Sequence, residues 1–450
     1  MSSMSWRSCW PPEIGRAHRR RAVGRAAPHP AIVPIPAAGR ATARDRRGSS
    51  TRGLASAIRR KRAGGLRPRF ALFSGETEVA ISRRSGRQPG AFGQGEKADA
   101  RNALAGQPRG MITGPGAWIG SEIQRDESWI HRLDAAAIEE IDAALAHVTR
   151  AGARIPFTAE VFPLPCFAAE LDNILDEIER GRGFVLVRGV PRARYTDAHC
   201  ELLYWGLGAH LGTPVSQNAR GHLLGHVRDE GRIHADPSAR GYQTNERMDF
   251  HTDMLPVDVL GLFCLRAAKS GGASKLVSAL TIHNVLREER PDLLEALYGM
   301  FHVDWRGEEP PGERPWFRLP MFSERDGQVS CRINSLPYYD SAARHGEQYR
   351  PTAIQREALE AVQEIANRPE LMLTMDFQEG DVQLINNHIL LHAREAYEDH
   401  PEPGRERHLL RMWIAVSDDR RRPLADSVAG RYRWVHEGGI PVKAGAATTG

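Results

Sequence analysis

Cysteine and long apolar runs are both scarce in this chain. Its 5 cysteines are scattered over 450 residues, and no Cys-x-x-Cys pair occurs, so the sequence does not indicate a disulfide framework. No run of roughly 18 or more apolar residues is found, which argues against a membrane-spanning helix. Both absences favour a reduced, cytoplasmic protein with buried thiols.

Lysine is also scarce, and the basic charge is unevenly placed. The chain has 61 Lys and Arg residues against 56 Asp and Glu, and only 5 of the basic residues are lysine. The first 110 residues hold 23 Lys and Arg against 6 Asp and Glu, whereas the remainder holds 38 and 50. Since the larger part is acidic, the charge pattern argues against reading the whole chain as a nucleic-acid binder.

Residues 1–110 are rich in Arg, Ala, Gly, Pro and Ser and show no apolar periodicity. Such a composition buries too little apolar surface to offset the entropy lost on ordering, so we predict a disordered, Arg-rich extension. Translation from upstream of a start at Met111 would account for it. A transit peptide, a nucleic-acid-binding tail and a folded domain are the alternatives.

The remaining residues predict a mainly β domain with flanking helices over 111–425, followed by a C-terminal tail over 426–450. Apolar residues at helical spacing predict helices at 134–150, 167–179, 196–211, 281–297 and 353–366, with Pro291 dividing the fourth. Strands are predicted at 184–187, 223–227, 248–253, 259–266, 275–279, 371–377, 382–386 and 408–416. Helices followed by many short strands indicate a double-stranded β-helix, or jelly roll, rather than alternating βαβ units.

The segment 248–253 carries the most specific signal. In an extended segment, residues two apart project to the same face, so His251 and Asp253 can close on one ion. An imidazole and a carboxylate, completed by a distant second histidine, form the facial triad that holds iron(II). His-x-Asp also occurs at 234–236 and 302–304, but only His251 is followed by a long apolar strand and then a Gly-Gly turn.

The second histidine is expected within 382–394. His392 is preferred as the ligand because an apolar residue precedes it and Ala393 and Arg394 then leave the strand. His388 remains an alternative, since it can equally be a hydrogen-bonded core residue.

Two arginines that follow predict an anion site. Arg407 and Arg411 share a face of an apolar strand, and a buried arginine needs an anionic partner. A planar guanidinium suits a carboxylate held in two places. Two structural ion pairs are the alternative. Ser274, after the Gly271-Gly272 turn, can donate to the same carboxylate, although such a segment is commonly only a hairpin turn.

Taken in order, these motifs resemble the taurine dioxygenase (TauD/TfdA) family of iron(II)- and 2-oxoglutarate-dependent dioxygenases, over roughly residues 184–417. The resemblance implies a clavaminate synthase-like jelly roll. Its implied site has three parts: Fe(II) on His251, Asp253 and His392; 2-oxoglutarate on Arg407 and Ser274, with Arg411 nearby; and a substrate contact at Arg247.

Two departures from the family pattern concern the substrate pocket. The Gly-Gly turn continues with Ala273-Ser274 where the family often has an acidic residue and Thr. Residues 386–388 read Asn-Asn-His where it often has Asp-Asn-Arg. Taurine is therefore not assumed as the substrate.

On this resemblance we expect an enzyme that uses Fe(II), 2-oxoglutarate and O₂ to oxidise a small anionic substrate, usually by hydroxylation, with release of succinate and CO₂. A metal-dependent hydrolase on the same residues and a non-enzymatic jelly-roll binding module are the alternatives. A small-molecule substrate is the expected partner. Neither a membrane nor a nucleic acid is expected as a partner, and a homo-oligomer is left open.

Overall fold

The computed structural model describes residues 110–233, 240–255 and 257–443. Every described residue belongs to one compact unit. The predicted extension up to residue 109, the His-x-Asp match at 234–236 and residues 444–450 of the predicted tail lie outside the described residues.

The predicted helices all form, with small shifts at their ends. The α-helices of the described residues are α1 (Gly120–Ile123), α2 (Ala135–Arg150), α3 (Phe167–Arg180), α4 (Asp197–Leu211), α5 (Ala279–Glu289), α6 (Pro291–Tyr298), α7 (Pro337–Asp340), α8 (Ala353–Ala366) and α9 (Asp426–His436). Short 3-10 turns lie at Glu127–Trp129, Ala159–Val161, Arg192–Arg194, Gly241–Gln243, Ser341–His345 and Glu347–Tyr349. Pro291 is the first residue of α6, where its fixed φ suits a helix start, so the predicted division is confirmed. None of the described helices has both the length and the apolar character needed to cross a bilayer.

Seventeen strands occur in the described residues. They are β1 (Ile130–Arg132), β2 (Phe184–Arg188), β3 (Thr213–Val215), β4 (Leu224–Val227), β5 (Met248–His251), β6 (Val259–Arg266), β7 (Ser270–Gly271), β8 (Ser274–Ser278), β9 (Met300–Asp304), β10 (Trp316–Pro320), β11 (Phe322–Arg325), β12 (Gln328–Cys331), β13 (Met372–Met375), β14 (Val382–Asn386), β15 (Leu390–Arg394), β16 (Tyr397–Glu398) and β17 (His408–Ala415). One sheet has the order β1-β2-β14-β6-β17-β3, with β4 also paired to β17, and a second has the order β13-β8-β15-β5. Only β1 and β2 pair in parallel among these strands.

The two larger sheets form a sandwich. Leu260 of the seven-stranded sheet and Leu276 of the four-stranded sheet belong to one buried cluster. The opposite face of the seven-stranded sheet, including Leu410, is covered by α2, α3 and α4. Because successive strand residues point to opposite faces, Arg411 and Trp413 of β17 face the space between the sheets. This double-sheet arrangement with flanking helices confirms the predicted jelly roll.

The predicted C-terminal tail begins with α9, whose apolar face is buried. Val428, Tyr432 and Val435 belong to the same buried cluster as the two sheets. The Tyr432 hydroxyl donates to Asp258, a fully buried carboxylate that also lies 3.0 Å from Nε2 of His388. Burial raises the pKa of Asp258 to about 7. The described part of the predicted tail therefore packs into the core of the domain.

Candidate metal centre

His251 and His392 lie opposite each other on adjacent antiparallel strands. They are register partners in the pairing of β5 with β15, so their side chains leave the same face of the four-stranded sheet. Their ring centroids are 4.2 Å apart, and their side chains are only 8% and 12% exposed. The register of β5 and β15 therefore places the two imidazoles side by side.

Asp253 completes the cluster from just beyond the end of β5. Its Oδ1 lies 3.9 Å from Nε2 of His251 and 3.7 Å from Nε2 of His392. One ion with bonds of about 2.1 Å can bridge ligand atoms up to ~4.2 Å apart, so both separations suit a shared metal. Within the described residues, no other group of three or more His, Cys, Asp or Glu side chains is placed to hold a metal ion.

The second carboxylate oxygen of Asp253 is held by other groups. The indole N–H of Trp413 donates to Oδ2, and Nη1 of Arg411 lies 3.3 Å from the same atom. The backbone N–H of Asp253 donates to Oδ1 of Asn387 at 2.9 Å. These contacts orient the carboxylate so that Oδ1 faces the two histidines.

Arg332, which no sequence motif indicated, fixes the loop that carries Asp253. It is buried, and its guanidinium donates to the backbone carbonyls of Asp253, Met254 and Leu255. It also donates to the carbonyl of Asn387 at 3.1 Å. Burial lowers the pKa of Arg332 to about 10. The sequence could not indicate this role of Arg332, because its hydrogen bonds go to main-chain oxygens and their positions depend on how the loop folds.

The two histidines and the aspartate have the protonation states that binding of a metal cation requires. Burial, followed by the neighbouring His251, lowers the pKa of His392 to about 3, and burial also lowers the pKa of His251. Nδ1 of His251 donates to the carbonyl of Asp249 at 2.7 Å, which leaves Nε2 available to a metal. Burial opposes ionisation of Asp253, but the charge of Arg411 and the hydrogen bond from Trp413 keep the pKa of that carboxyl below its usual value. The cluster therefore offers two neutral imidazoles and one carboxylate.

Replacing Trp413 by phenylalanine tests the orientation of Asp253. The change removes the indole donor and keeps an aromatic ring in the core. Because groups that orient a metal ligand typically contribute about 10–100-fold to metal affinity, we expect Co²⁺ affinity to fall by that factor in a calorimetric titration of the apo-protein. Trp205→Phe is the matched control, since its indole donates to the carbonyl of Phe157 at 2.7 Å. Equal Co²⁺ affinity in Trp413→Phe and the wild type would contradict the orienting role.

Arg407 lies beside the Gly271-Gly272 turn. A Cβ at Gly272 would lie 3.1 Å from Nε of Arg407, and Gly272 has a φ of +74°, so the close approach and the backbone both favour glycine. Arg407 is 4% exposed. Its Cζ lies 4.9 Å from the ring centroid of Tyr397, and Cζ of Arg394 lies 5.0 Å from the same centroid. Two buried guanidinium groups therefore share one tyrosine ring.

The guanidinium groups of Arg394 and Arg407 both have N–H donors that are not used in hydrogen bonds. Nη1 of Arg407 and both Nε and Nη1 of Arg394 are buried without an acceptor in the part of the chain that the structure describes. Burial lowers the pKa of Arg407, and lowers that of Arg394 to about 10. Ser274 is the register partner of Arg394, and its hydroxyl accepts from Nε2 of Gln383 at 3.1 Å. Such buried, unused donors favour an anionic ligand. Neither Arg394 nor Gln383 was among the predicted site residues.

Arg411 lies at a cavity of about 210 Å³ that His251 and Asp253 also line. Its Nε donates to Gln217 at 2.7 Å, and its Cζ lies 4.9 Å from the ring centroid of Tyr242. The strand does not place Arg407 and Arg411 on one face as predicted, because β17 begins after Arg407 and its register shifts between His408 and Leu409. The two arginines contact different groups. The cavity lining includes Arg240, Tyr242, Arg247, His251, Asp253, Arg306, Glu308, Tyr338, Arg411 and Trp413.

Arg247 lies at the rim of this cavity. Its side chain is 59% exposed, and its Nε lies 3.5 Å from Oδ1 of Asp249. Its Nη2 donates to Oδ1 of Asn367 at 2.8 Å. The substrate contact assigned to Arg247 stays a prediction.

The remaining histidines of the predicted motifs lie in other surroundings. His388 is fully buried and bonded to Asp258. His302 packs against aromatic rings, and Asp304 pairs with Arg344 at 2.9 Å. Among the described residues, only the His-x-Asp pair at 251 and 253 belongs to a group of three side chains placed to hold a metal ion.

Two histidines and one aspartate held together between the sheets of a β-sandwich form the metal site that is typical of non-haem metal oxygenases. The sequence profile described as "Taurine catabolism dioxygenase TauD, TfdA family" matches residues 144–413. FR-33289 synthase of Streptomyces rubellomurinus is 34% identical over 329 residues, which cover 72% of this chain and 95% of that protein. The chain belongs to the TauD/TfdA family of dioxygenases, and the family predicted from the motifs is confirmed.

Two further similarities complete the comparison. Taurine hydroxylase-like protein SAT17 of Stachybotrys chartarum is 30% identical over 332 residues, which cover 72% of this chain and 84% of that protein. The crystal structure of asparagine oxygenase with Fe(II), 2S,3S-3-hydroxyasparagine and succinate is 17% identical, with a TM-score of 0.49. The aligned part covers 64% of this chain and 93% of the asparagine oxygenase chain.

Proposed function

We propose that this protein is an Fe(II)- and 2-oxoglutarate-dependent dioxygenase that oxidises a small anionic substrate, with hydroxylation as the expected outcome and release of succinate and CO₂. The observation that carries the proposal is the meeting of His251, Asp253 and His392 around one point. Membership of a dioxygenase family supports it.

The donor set suits iron(II). Two neutral imidazoles and one carboxylate on one side of a metal form the facial triad of non-haem iron(II) oxygenases, which leaves coordination positions open. Trp413 and Arg411 hold Oδ2 of Asp253, so Oδ1 alone is presented to the ion.

The buried arginines suit the far carboxylate of 2-oxoglutarate. His392 and Arg394 are two residues apart on β15, about 7 Å along an extended strand, and a five-carbon dicarboxylate spans a comparable distance. Arg407 would bind that carboxylate through its unused Nη1, and Ser274 would add a hydroxyl donor. We add Arg394 to this set because its unused donors lie beside the same tyrosine ring.

When bound, iron and 2-oxoglutarate would supply the oxidising chemistry through activation of O₂. The residues of the chain position the reactants. The Asp249 carbonyl fixes the ring of His251, Arg332 fixes the loop that carries Asp253, and the cavity holds the substrate at the open side of the metal while limiting access of water.

The substrate is proposed to be a small anion. The family description and the name of one relative refer to taurine, an aminosulfonate, and arginines line the cavity. The cavity volume of about 210 Å³ suits a small molecule. Because of the departures from the family pattern at 273–274 and 386–388, taurine itself is not assumed. We also propose a cytoplasmic location, which the four free cysteines of the described residues support.

Succinate formation tests this function. The purified chain supplied with Fe(II), 2-oxoglutarate and O₂ is expected to release succinate and CO₂ in equal amounts, slowly without substrate and faster with it. A screen of small anions by mass spectrometry would then detect 2-oxoglutarate-dependent gain of one oxygen atom. A hydrolase on the same residues would work without O₂, so turnover under anaerobic conditions, or succinate release unchanged in His251→Ala, would contradict the proposal.

A further inference from the structure

We infer that Asp258 and Tyr432 are positioning residues of the metal centre, and that the C-terminal helix α9 therefore takes part in metal binding. The inference rests on the proposed function, because it concerns the site at which the metal would bind. Neither residue was among the predicted site residues, and α9 lies in the segment 426–450 that the sequence indicated only as a tail.

The Asp258 carboxylate joins four separate segments of the chain. It follows the proposed metal ligand Asp253 by five residues and is fully buried. Its Oδ1 lies 3.0 Å from Nε2 of His388. Its Oδ2 accepts the N–H of Val416 at 2.8 Å and the hydroxyl of Tyr432. One carboxylate therefore fastens the loop after Asp253 to the turn between β14 and β15, to the end of β17 and to α9.

The main chain of Asp258 continues this connection to the metal ligands. Its carbonyl accepts the N–H of Asn387 at 2.9 Å. The Asn387 side chain accepts the N–H of Asp253 at 2.9 Å through Oδ1, and it donates to the carbonyl of Leu255 at 3.2 Å through Nδ2. Asn387 lies in the turn that leads into β15, the strand that carries His392. The two segments that carry Asp253 and His392 are therefore held against each other by Asn387 and Asp258.

Metal binding depends on small displacements of these segments. Oδ1 of Asp253 lies 3.7 Å from Nε2 of His392. A displacement of more than about 0.5 Å would separate the two atoms beyond the ~4.2 Å that one ion can bridge. A buried polar network holds one arrangement only while its members are bonded, and the Tyr432 hydroxyl is the contribution of α9 to this network. Loss of that hydroxyl should therefore weaken metal binding.

Replacing Tyr432 by phenylalanine tests this role, because the ring stays in the core and only the hydroxyl is lost. The full chain, free of metal, would be titrated calorimetrically with Co²⁺. Groups that orient a metal ligand contribute about 10–100-fold to metal affinity. Since Tyr432 acts through Asp258 and Asn387, we expect a loss at the lower end of that range, about 10-fold. One ion should still bind per chain, because the three ligands remain.

Tyr195→Phe is the matched control. The Tyr195 hydroxyl donates to Oδ1 of Asp142 at 2.6 Å, and Tyr195 is also buried. Asp142 lies on α2, which covers the face of the seven-stranded sheet that is turned away from the four-stranded sheet. Because that tyrosine–aspartate bond has no connection to the metal ligands, Co²⁺ affinity in Tyr195→Phe should equal the wild-type value.

Unfolding by urea with and without Co²⁺ separates positioning from a merely structural contribution. A hydroxyl that only stabilises the fold lowers the free energy of unfolding equally in both states when it is removed. If Tyr432 positions the ligands, the decrease caused by Tyr432→Phe should be larger with saturating Co²⁺, by the same factor of about 10, or about 1.4 kcal/mol. The decrease caused by Tyr195→Phe should be the same in both states.

The outcomes separate this inference from the proposed function. Wild-type Co²⁺ affinity in a folded Tyr432→Phe chain, or an equal decrease in stability with and without Co²⁺, would overturn the positioning role and leave the proposed function intact. Asp258→Asn, which keeps the shape of the side chain, decides the test if Tyr432→Phe does not fold, and wild-type Co²⁺ affinity in it would also overturn the role. A wild-type chain that binds no Co²⁺ would contradict the metal centre, and with it both the proposed function and this inference.

Discussion

Replacing His392 by alanine is expected to abolish both metal binding and succinate formation. His392 lies opposite His251 in strand register, and its Nε2 is 3.7 Å from Asp253, so the change removes one of three ligands. Removal of groups that only orient a ligand already costs about 10–100-fold in metal affinity, so the loss of a ligand should exceed that. Equilibrium dialysis with Fe(II) and a succinate assay would measure the two effects.

His388→Asn is the control that decides between the two histidines near the end of the chain's core strands. His388 contacts Asp258 at 3.0 Å and is fully buried, so this change should lower the free energy of unfolding by about 1–3 kcal/mol, as loss of a buried hydrogen-bond partner does. The metal stoichiometry should stay at the wild-type value. Stoichiometric iron in His392→Ala, together with its loss in a folded His388→Asn, would show that the ligand had been assigned to the wrong histidine.

Arg407→Met is expected to weaken 2-oxoglutarate binding severely without destabilising the protein. Loss of one partner of a buried, hydrogen-bonded charge pair costs about 2–5 kcal/mol, so the KM for 2-oxoglutarate should rise about 30- to 4,000-fold. No carboxylate pairs with the Arg407 guanidinium within the described residues, and its Nη1 lacks an acceptor. The free energy of unfolding of the apo-protein should therefore be unchanged or higher.

Arg188→Met is the matched control for this prediction. Arg188 binds Asp381 through Nε and Nη2, at 2.9 and 2.7 Å, and the Asp381 side chain is 1% exposed. Removing the arginine leaves the buried Asp381 carboxylate without its partner, so the free energy of unfolding should fall by about 3–5 kcal/mol. The KM for 2-oxoglutarate should stay near the wild-type value. Urea unfolding and initial rates measure both quantities. A normal KM in Arg407→Met would exclude its role in binding the co-substrate.

Much of the fold and the ligand set could be predicted because local patterns encode them. The apolar periodicity of 134–150 predicts α2, and the helix begins after Asp134, whose side chain accepts the N–H of Ala137. Pro291 marks the division of the helix pair. The alternation of β17 places Arg411 and Trp413 on one face, and the His-x-Asp spacing brings one imidazole and one carboxylate together.

The remaining parts of the site depend on contacts between distant segments. Trp413 meets Asp253 across 160 residues, and Arg332 reaches main-chain oxygens 77–79 residues away, which no local pattern reports. Arg394 stays within β15 rather than leaving the strand as predicted. Arg306 enters the cavity through a left-handed turn set by Asp304. Site residues of this kind can be identified only from the folded structure, in which the two sheets are packed together.

Anaerobic titration of the full chain with Fe(II), followed by addition of 2-oxoglutarate, tests the iron centre most directly. We expect one iron bound per chain and a charge-transfer absorption that requires both additions, with both signals lost in Asp253→Ala. A wild-type chain that binds no iron, or a folded Asp253→Ala chain that develops the same absorption at the same concentrations, would contradict the assignment of His251, Asp253 and His392 as the ligands.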